Sequence, residues 1–267
     1  MLKTWSHSRM VTFELCPRRA KLQYIDRIPE PERHLPPGKT EHANDRGTRV
    51  HEAAERFVKG GVELIPELHA FREEFENLRT LYQEGKVSLE GEWGHDRSWS
   101  PVAWMSSDVW IRLKLDAMVR VADDHAVVID FKTGKKAGNE IKHLEQGQLY
   151  AVATHARFPE LEGVDVEFWY TDQNDLSHHA YTADEIRVLR DKFHSRGVRI
   201  TSEVDFPPKP STFNCKWCPY GRWGTNHCPE GIGGKADIWK SPFRTDRVGD
   251  GPADTFVVGP RPALPEG

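Results

Sequence analysis

The feature that most constrains the fold is the run Val127-Val128-Ile129-Asp130-Phe131-Lys132-Thr133-Gly134, preceded by Arg112-Leu113-Lys114-Leu115-Asp116-Ala117-Met118-Val119-Arg120. The β-branched apolar residues before Asp130 read as a buried strand, and Lys-Thr-Gly-Lys-Lys reads as its polar exit into a turn. The earlier segment reads as a neighbouring strand carrying Asp116. Strand side chains alternate faces, so Asp130 and Lys132 point one way and Phe131 the other. Two carboxylates and one lysine therefore meet at a strand end.

Aspartates converging from adjacent strands repel each other unless a cation lies between them or one is protonated. A divalent ion resolves the conflict. All-oxygen ligands suit the hard ions Mg2+ and Mn2+, and the Phe131 carbonyl can add a further oxygen. Lys132 beside the ion can orient or help deprotonate a water and offset charge building on a phosphate. Such a set hydrolyses phosphodiesters. The alternative is an ordinary Asp-x-Lys strand exit, with Asp116 paired to a nearby cation.

Three further segments bear on the choice. Arg46 to Phe57 reads as a helix with Val50, Ala54, Phe57 and Val58 on one face and His51 close to it. A neutral imidazole there would complete a coordination shell and tilt it toward Mn2+. A zinc-protease helix is excluded, because the position four residues after His51 is Glu55. Ile141 to Phe158 reads as an amphipathic helix with Gln146 and Tyr150 one above the other, an amide and a phenol able to hydrogen-bond a phosphate or a lysine. The third segment holds cysteines. Of the four in the chain, Cys16 is early and Cys215, Cys218 and Cys228 are late, in an aromatic and Pro-rich setting. No signal peptide or apolar span suggests an oxidising compartment, so chelation is preferred to disulfides. Four thiolates fit either tetrahedral zinc or a [4Fe-4S] cluster.

Taken in order, His51, Asp116, Asp130-Phe131-Lys132 and Gln146-x-x-x-Tyr150, framed by one early and three late cysteines, resemble the RecB-like branch of the PD-(D/E)XK nucleases. The likeness is closest to Cas4-like and phage-type iron-sulfur exonucleases and spans roughly residues 5 to 230. It implies an α/β, restriction-endonuclease-like core with a central mixed sheet flanked by helices, plus a helical and C-terminal subdomain stapled by a [4Fe-4S] cluster. It further implies a cluster on Cys16, Cys215, Cys218 and Cys228, and metal ligation by His51, Asp116, Asp130 and the Phe131 carbonyl. Lys132 becomes the catalytic lysine, with Gln146 and Tyr150 supporting DNA and the site. The interval from Cys218 to Cys228 is long for this branch.

At 267 residues the chain can bury one substantial core. The expected organisation is one nuclease domain over 1–230 and a flexible Gly- and Pro-rich tail over 231–267. A net charge of −4 argues against indiscriminate coating of nucleic acid, so binding needs a local groove. Candidate basic patches are Arg18, Arg19 and Lys21; Lys135 and Lys136 beside the site; and Arg187, Arg190, Lys192, Arg196 and Arg199. The element order is expected as helices, three strands, the Gln146 helix, two strands and a last helix capped by Thr182. Glu90 and Glu92 on the first strand read as exposed strand glutamates, with extra acidic groups for the site as the alternative. No Gly-rich phosphate loop or helicase motif is present, so any motor would be another chain.

The expectation is a cytoplasmic, metal-dependent DNA exonuclease acting on single strands or ends in recombination, repair or replication. A helicase or recombination partner is possible and no membrane is involved. A Cas4-type nuclease serving CRISPR spacer acquisition and a non-catalytic zinc-containing DNA-binding module remain open as alternatives.

Overall fold

In the computed structural model, which describes residues 1–233 and Trp239, the chain opens with α1 (His7–Leu15) and α2 (Pro17–Ala20), the latter running into a π-helical turn over Lys21–Ile25. After the Pro-rich loop come α3 (Ala43–Val58), a 3-10 turn over Pro66–Phe71 and α4 (Arg72–Gln83). Four strands follow: β1 (Val87–His95), β2 (Pro101–Val102), β3 (Ile111–Ala122) and β4 (His125–Lys132). Then come α5 (Glu140–Arg157), β5 (Gly163–Tyr170), β6 (Asp175–Thr182), α6 (Ala183–Ser202) and α7 (Thr212–Cys215).

One six-stranded sheet runs in the order β2-β1-β3-β4-β5-β6. Only β4 and β5 are parallel, and α5 makes the crossover that such a pair requires. The expected mixed α/β sheet is present, with one strand more than the sequence pattern gave. The additional β2 is two residues long, too short to show any alternation.

Both faces of the sheet are covered, which explains why the Val127–Ile129 run is apolar without a break. Leu149 and Val152 of α5, Met10 and Phe13 of α1 and Phe193 of α6 pack on one face. Val50, Ala54 and Phe57 of α3 and Phe75 and Leu78 of α4 pack on the other. As expected, α6 is capped by Thr182, whose side chain accepts from the Glu185 N–H in a reciprocal capping box.

The sheet is irregular where the aspartates sit. Leu113 and Leu115 of β3 join the core beneath α5, yet Ala117 and Val119, of the same parity, join the core beneath α3. Strict alternation would keep all four on one face, so β3 changes phase across Asp116. Opposite it on β1, Glu90 has φ 46 and is skipped in an otherwise unbroken register, between the pairs Leu89↔Ala117 and Gly91↔Leu115. The β3–β4 ladder stops at Ala117↔Ile129. Asp116 and Asp130 lie just past the point where the strands part.

The two ends of the described chain are stitched together. Arg18 Nε donates to the Phe206 carbonyl at 3.2 Å, Asn214 Nδ2 to Leu15 O at 3.0 Å and Tyr220 OH to Ile28 O at 3.1 Å. Arg196 clamps Glu14 with two nitrogens and Glu145 with a third, joining α6 to α1 and α5. The expected tail, apart from 231–233 and Trp239, lies outside the described residues; Trp239 is buried and bridges Arg33. Among the described residues no helix is long and apolar enough to cross a membrane.

Gly147 lets α5 lie directly on the sheet. A Cβ there would meet the Phe168 ring at 2.9 Å and Val166 at 3.1 Å. Ala would gain roughly 1 kcal/mol of helix propensity, but overpacking against a buried ring costs about 1–3 kcal/mol. Gly147→Ala is therefore expected to lower the urea midpoint, and an unchanged or higher midpoint would show that α5 can lift off without cost.

Candidate active site

His51 lies on α3 beside the buried Val50 and stays half-exposed. Its Nδ1–H reaches Asp116 Oδ1 at 2.9 Å. The other Asp116 oxygen accepts the Phe131 backbone N–H at 2.7 Å, replacing the carbonyl that a continued ladder would have supplied. Glu90 completes the group: one donor atom each from His51, Glu90 and Asp116 all lie within 4.8 Å of one another. The reading of Glu90 as an exposed strand glutamate is corrected, since its distorted backbone places the carboxylate half-buried against Asp116. Glu92, by contrast, is exposed. Only the register that sets Glu90 opposite Asp116 could have revealed this in advance.

Asp130 heads a second, adjoining group. Its Oδ1 accepts from Tyr150 OH at 3.0 Å and its Oδ2 sits 2.5 Å from Lys132 Nζ. Lys132 also donates to Gln146 Oε1 at 3.0 Å, and Gln146 Nε2 donates to Tyr150 OH at 2.6 Å. The four side chains form a closed circuit that leaves Lys132 little freedom. Gln146 is oriented by it, with oxygen toward the ammonium and nitrogen toward the phenol. His51, Asp116, Asp130, Lys132, Gln146 and Tyr150 are thus brought together from α3, β3, β4 and α5.

The electrostatics follow from burial. Desolvation and the neighbouring Asp130 charge push the Asp116 carboxyl above the usual carboxylate range. Burial pulls the His51 imidazole down, but the hydrogen bond and charge of Asp116 outweigh it and raise the group. Burial, then the Asp130 and Asp116 charges, hold Tyr150 well above an ordinary phenol, so it remains a donor. Glu90 pairs with Lys114 and Asp130 with Lys132. Three carboxylates against two ammoniums leave the site in excess of negative charge. Glu90 Oε2 and Asp130 Oδ2 are buried acceptors whose contacts are the ammoniums of Lys114 and Lys132. Imidazole nitrogen and carboxylate oxygen with unused lone pairs fit a divalent ion, and the nitrogen favours Mn2+.

The remaining expected positions fall elsewhere. Lys136 is held by Asp175 at 2.8 Å and lies over the Tyr170 ring, and Lys135 is exposed on the turn after β4. In the α6 patch, Arg196 is engaged by Glu14 and Glu145 and Arg187 by Asp184. The four cysteines converge from both ends of the chain and line one pocket with Arg19, Pro208 and Asn214. Burial raises the Cys218 thiol and pushes that of Cys228 up to about 11. A raised thiol is not an activated nucleophile.

The family model of the PD-(D/E)XK nuclease superfamily matches residues 4–223, and the chain belongs to that superfamily. Its members are nucleases that use divalent metals, and the His/Glu/Asp group is where this chain offers one a site. Among solved structures, the chain is similar to that of SSO0001, at 17% identity over 87% of this chain and 89% of that one with a TM-score of 0.44. It is also similar to an alkaline exonuclease, LHK-Exo, from Laribacter hongkongensis, at 12% identity over 74% and 90% with a TM-score of 0.27. No curated protein matches the chain.

The raised groups set the pH dependence of the metal-free fold. A carboxyl or imidazole whose pKa is raised by folding contributes stability that is lost as pH rises through the folded value. Asp116 acts so from the ordinary carboxylate range upward and His51 from about 6.5 upward. Metal-free Asp116→Asn is therefore expected to melt higher than wild type at pH 7. Saturating Mn2+, at about a hundredfold over Kd, should add about 2.7 kcal/mol to wild type and almost nothing to the variant. Thermal melts with EDTA and with Mn2+ measure both. A variant that gained as much as wild type would remove Asp116 from the ligand set.

Proposed function

We propose that the chain is a metal-dependent DNA exonuclease that removes nucleotides from single-stranded ends. The observation that carries this reading is the closed Asp130–Lys132–Gln146–Tyr150 circuit beside the His51–Glu90–Asp116 group. Its topological setting on two central strands is that of the superfamily's nuclease core. His51, Glu90, Asp116 and Asp130 would hold Mg2+ or Mn2+, with the Phe131 carbonyl as a further candidate. When bound, such an ion acts as a Lewis acid toward water and the scissile phosphate.

The protein's own groups do the rest. Asp130 and Gln146 fix Lys132 so that its charge meets the phosphate as negative charge develops on it, without reorganisation at that moment. Tyr150 cannot ionise at working pH, so it holds Asp130 in place without adding to the repulsion. Preference for ends is supported by the N-terminal segment, which packs against residues 206–228 and walls one side of the site.

We further propose that Cys16, Cys215, Cys218 and Cys228 hold a [4Fe-4S] cluster. The convergence of four thiols from both ends of the chain on one pocket supports a shared cofactor there, with tetrahedral zinc as the alternative. Anaerobically purified protein is expected to be brown, with broad visible absorption and bound iron, and Cys218→Ala to be colourless. A colourless wild type containing one zinc would overturn the assignment.

Lys132→Ala and Asp130→Ala are each expected to slow Mn2+-dependent release of nucleotides from labelled linear single strands by about 10²–10³-fold or more. Circular single strands should resist wild type. Cutting of circles as fast as linear strands would exclude the end requirement. Full activity in either variant, with folding checked by melting, would exclude the site.

A further inference from the structure

Next to the reaction centre lies a cleft of about 730 Å³, bounded by α1, the start of β3 and the N-terminal half of α5. Its lining carries five cations, Arg9, Arg19, Arg112, Lys142 and the Glu90-paired Lys114, and no carboxylate, in a chain whose net charge is −4. Such segregation of charge is a local trap for a polyanion. Thr4, Ser6 and Ser8 line the same wall and add hydroxyls suited to phosphate oxygens.

The cleft has a direction. Lys142, Gln146 and Tyr150 are spaced by four on α5 and form one row down its surface. The row starts at an exposed lysine and ends at the tyrosine that holds Asp130. At the other end the lining reaches Leu15 and Arg19, and Arg19 also lines the cysteine pocket.

It also has an aromatic rim. Trp104 is half-exposed on the loop before β3, beside Met105, which is 80% exposed. Arg112 donates from Nε to the Trp104 carbonyl at 2.9 Å and places its guanidinium 5.4 Å over the indole ring. One indole face is thus backed by a cation and the ring is held at the cleft. Aromatic platforms beside a basic groove bind unpaired strands, because an unpaired base offers a free face that a base inside a duplex does not.

We propose that a single DNA strand travels along this cleft to Asp130 and Lys132, with a base stacked on Trp104 and its phosphates met by Arg9, Arg112 and Lys142. The proposal rests on the nuclease reading above and names the groups that select an unpaired strand.

Binding is read by fluorescence anisotropy in EDTA, with labelled oligo-dT and a hairpin duplex whose loop is an abasic linker, so that no hydrolysis and no unpaired base intrudes. Wild type binds the strand more tightly than the hairpin. Trp104→Ala weakens strand binding by about 5- to 100-fold, Trp104→Phe restores most of it, and hairpin binding is unmoved. Lys142→Ala, a change at an exposed position, reduces the log–log salt slope for the strand by about 0.7. Wild-type strand affinity in a folded Trp104→Ala, or equal affinity for strand and hairpin, overturns the proposal. Should Trp104→Ala fail to fold, an unchanged slope in Lys142→Ala does so. Failure of the nuclease reading looks different: wild type then cleaves nothing with Mn2+, while the Trp104 and Lys142 effects on binding persist.

Discussion

Like-charge repulsion at the split between β3 and β4 is the constraint on which the rest of the structure turns. Glu90, Asp116 and Asp130 converge where the ladder ends, and each would be costly to bury alone. The surrounding protein answers each separately. Lys114 meets Glu90, His51 and the Phe131 N–H meet Asp116, and Lys132 and Tyr150 meet Asp130. Those partners come from α3, β3, β4 and α5, so the helices packed on opposite faces of the sheet are tied to one another through the site. Compensation stays incomplete, with three carboxylates gathered against two ammoniums. A metal-free state held under this tension is what a cation-binding site requires.

The local irregularities share that origin. A regular sheet would satisfy every backbone group and leave no room for converging carboxylates. The phase change across Asp116, the left-handed backbone at Glu90 and the side chain that takes over the Phe131 N–H together open the sheet at one place. Such departures are held in place by the packing around them, here the apolar layers under α3 and α5.

Much of this was legible in the sequence, for identifiable reasons. β4 announces itself because burial on both faces forces an unbroken apolar run, and α3 and α5 because one face of each must meet the sheet. The pairing of Gln146 with Tyr150 follows from helical spacing alone. The choice for Glu90 between an exposed glutamate and an extra acidic group turns on register with β3 and on a local backbone distortion, neither of which leaves a mark in composition. β2 is shorter than any period. The basic cleft was invisible for another reason: its cations come from segments around residues 9, 19, 112 and 142, each unremarkable alone, and only tertiary packing gathers them. The charge runs that did stand out, at Lys135-Lys136 and along α6, include Lys136, Arg187 and Arg196, which are engaged with carboxylates of the protein itself.

The contacts between residues 14–28 and 206–228 bear on the order in which the molecule is made. A chain leaving the ribosome exposes α1 and Cys16 first and the partners of both last, after the sheet and α6 have been synthesised. Contacts spanning nearly 200 positions carry the largest loop-closure cost in the molecule and form late. Before then α1 is held at its C-terminal end by the Arg196–Glu14 clamp, and the contacts to residues 206–228 are added afterwards. The nascent polypeptide therefore completes its sheet at Thr182 before residues 206–228 arrive to close the cysteine pocket.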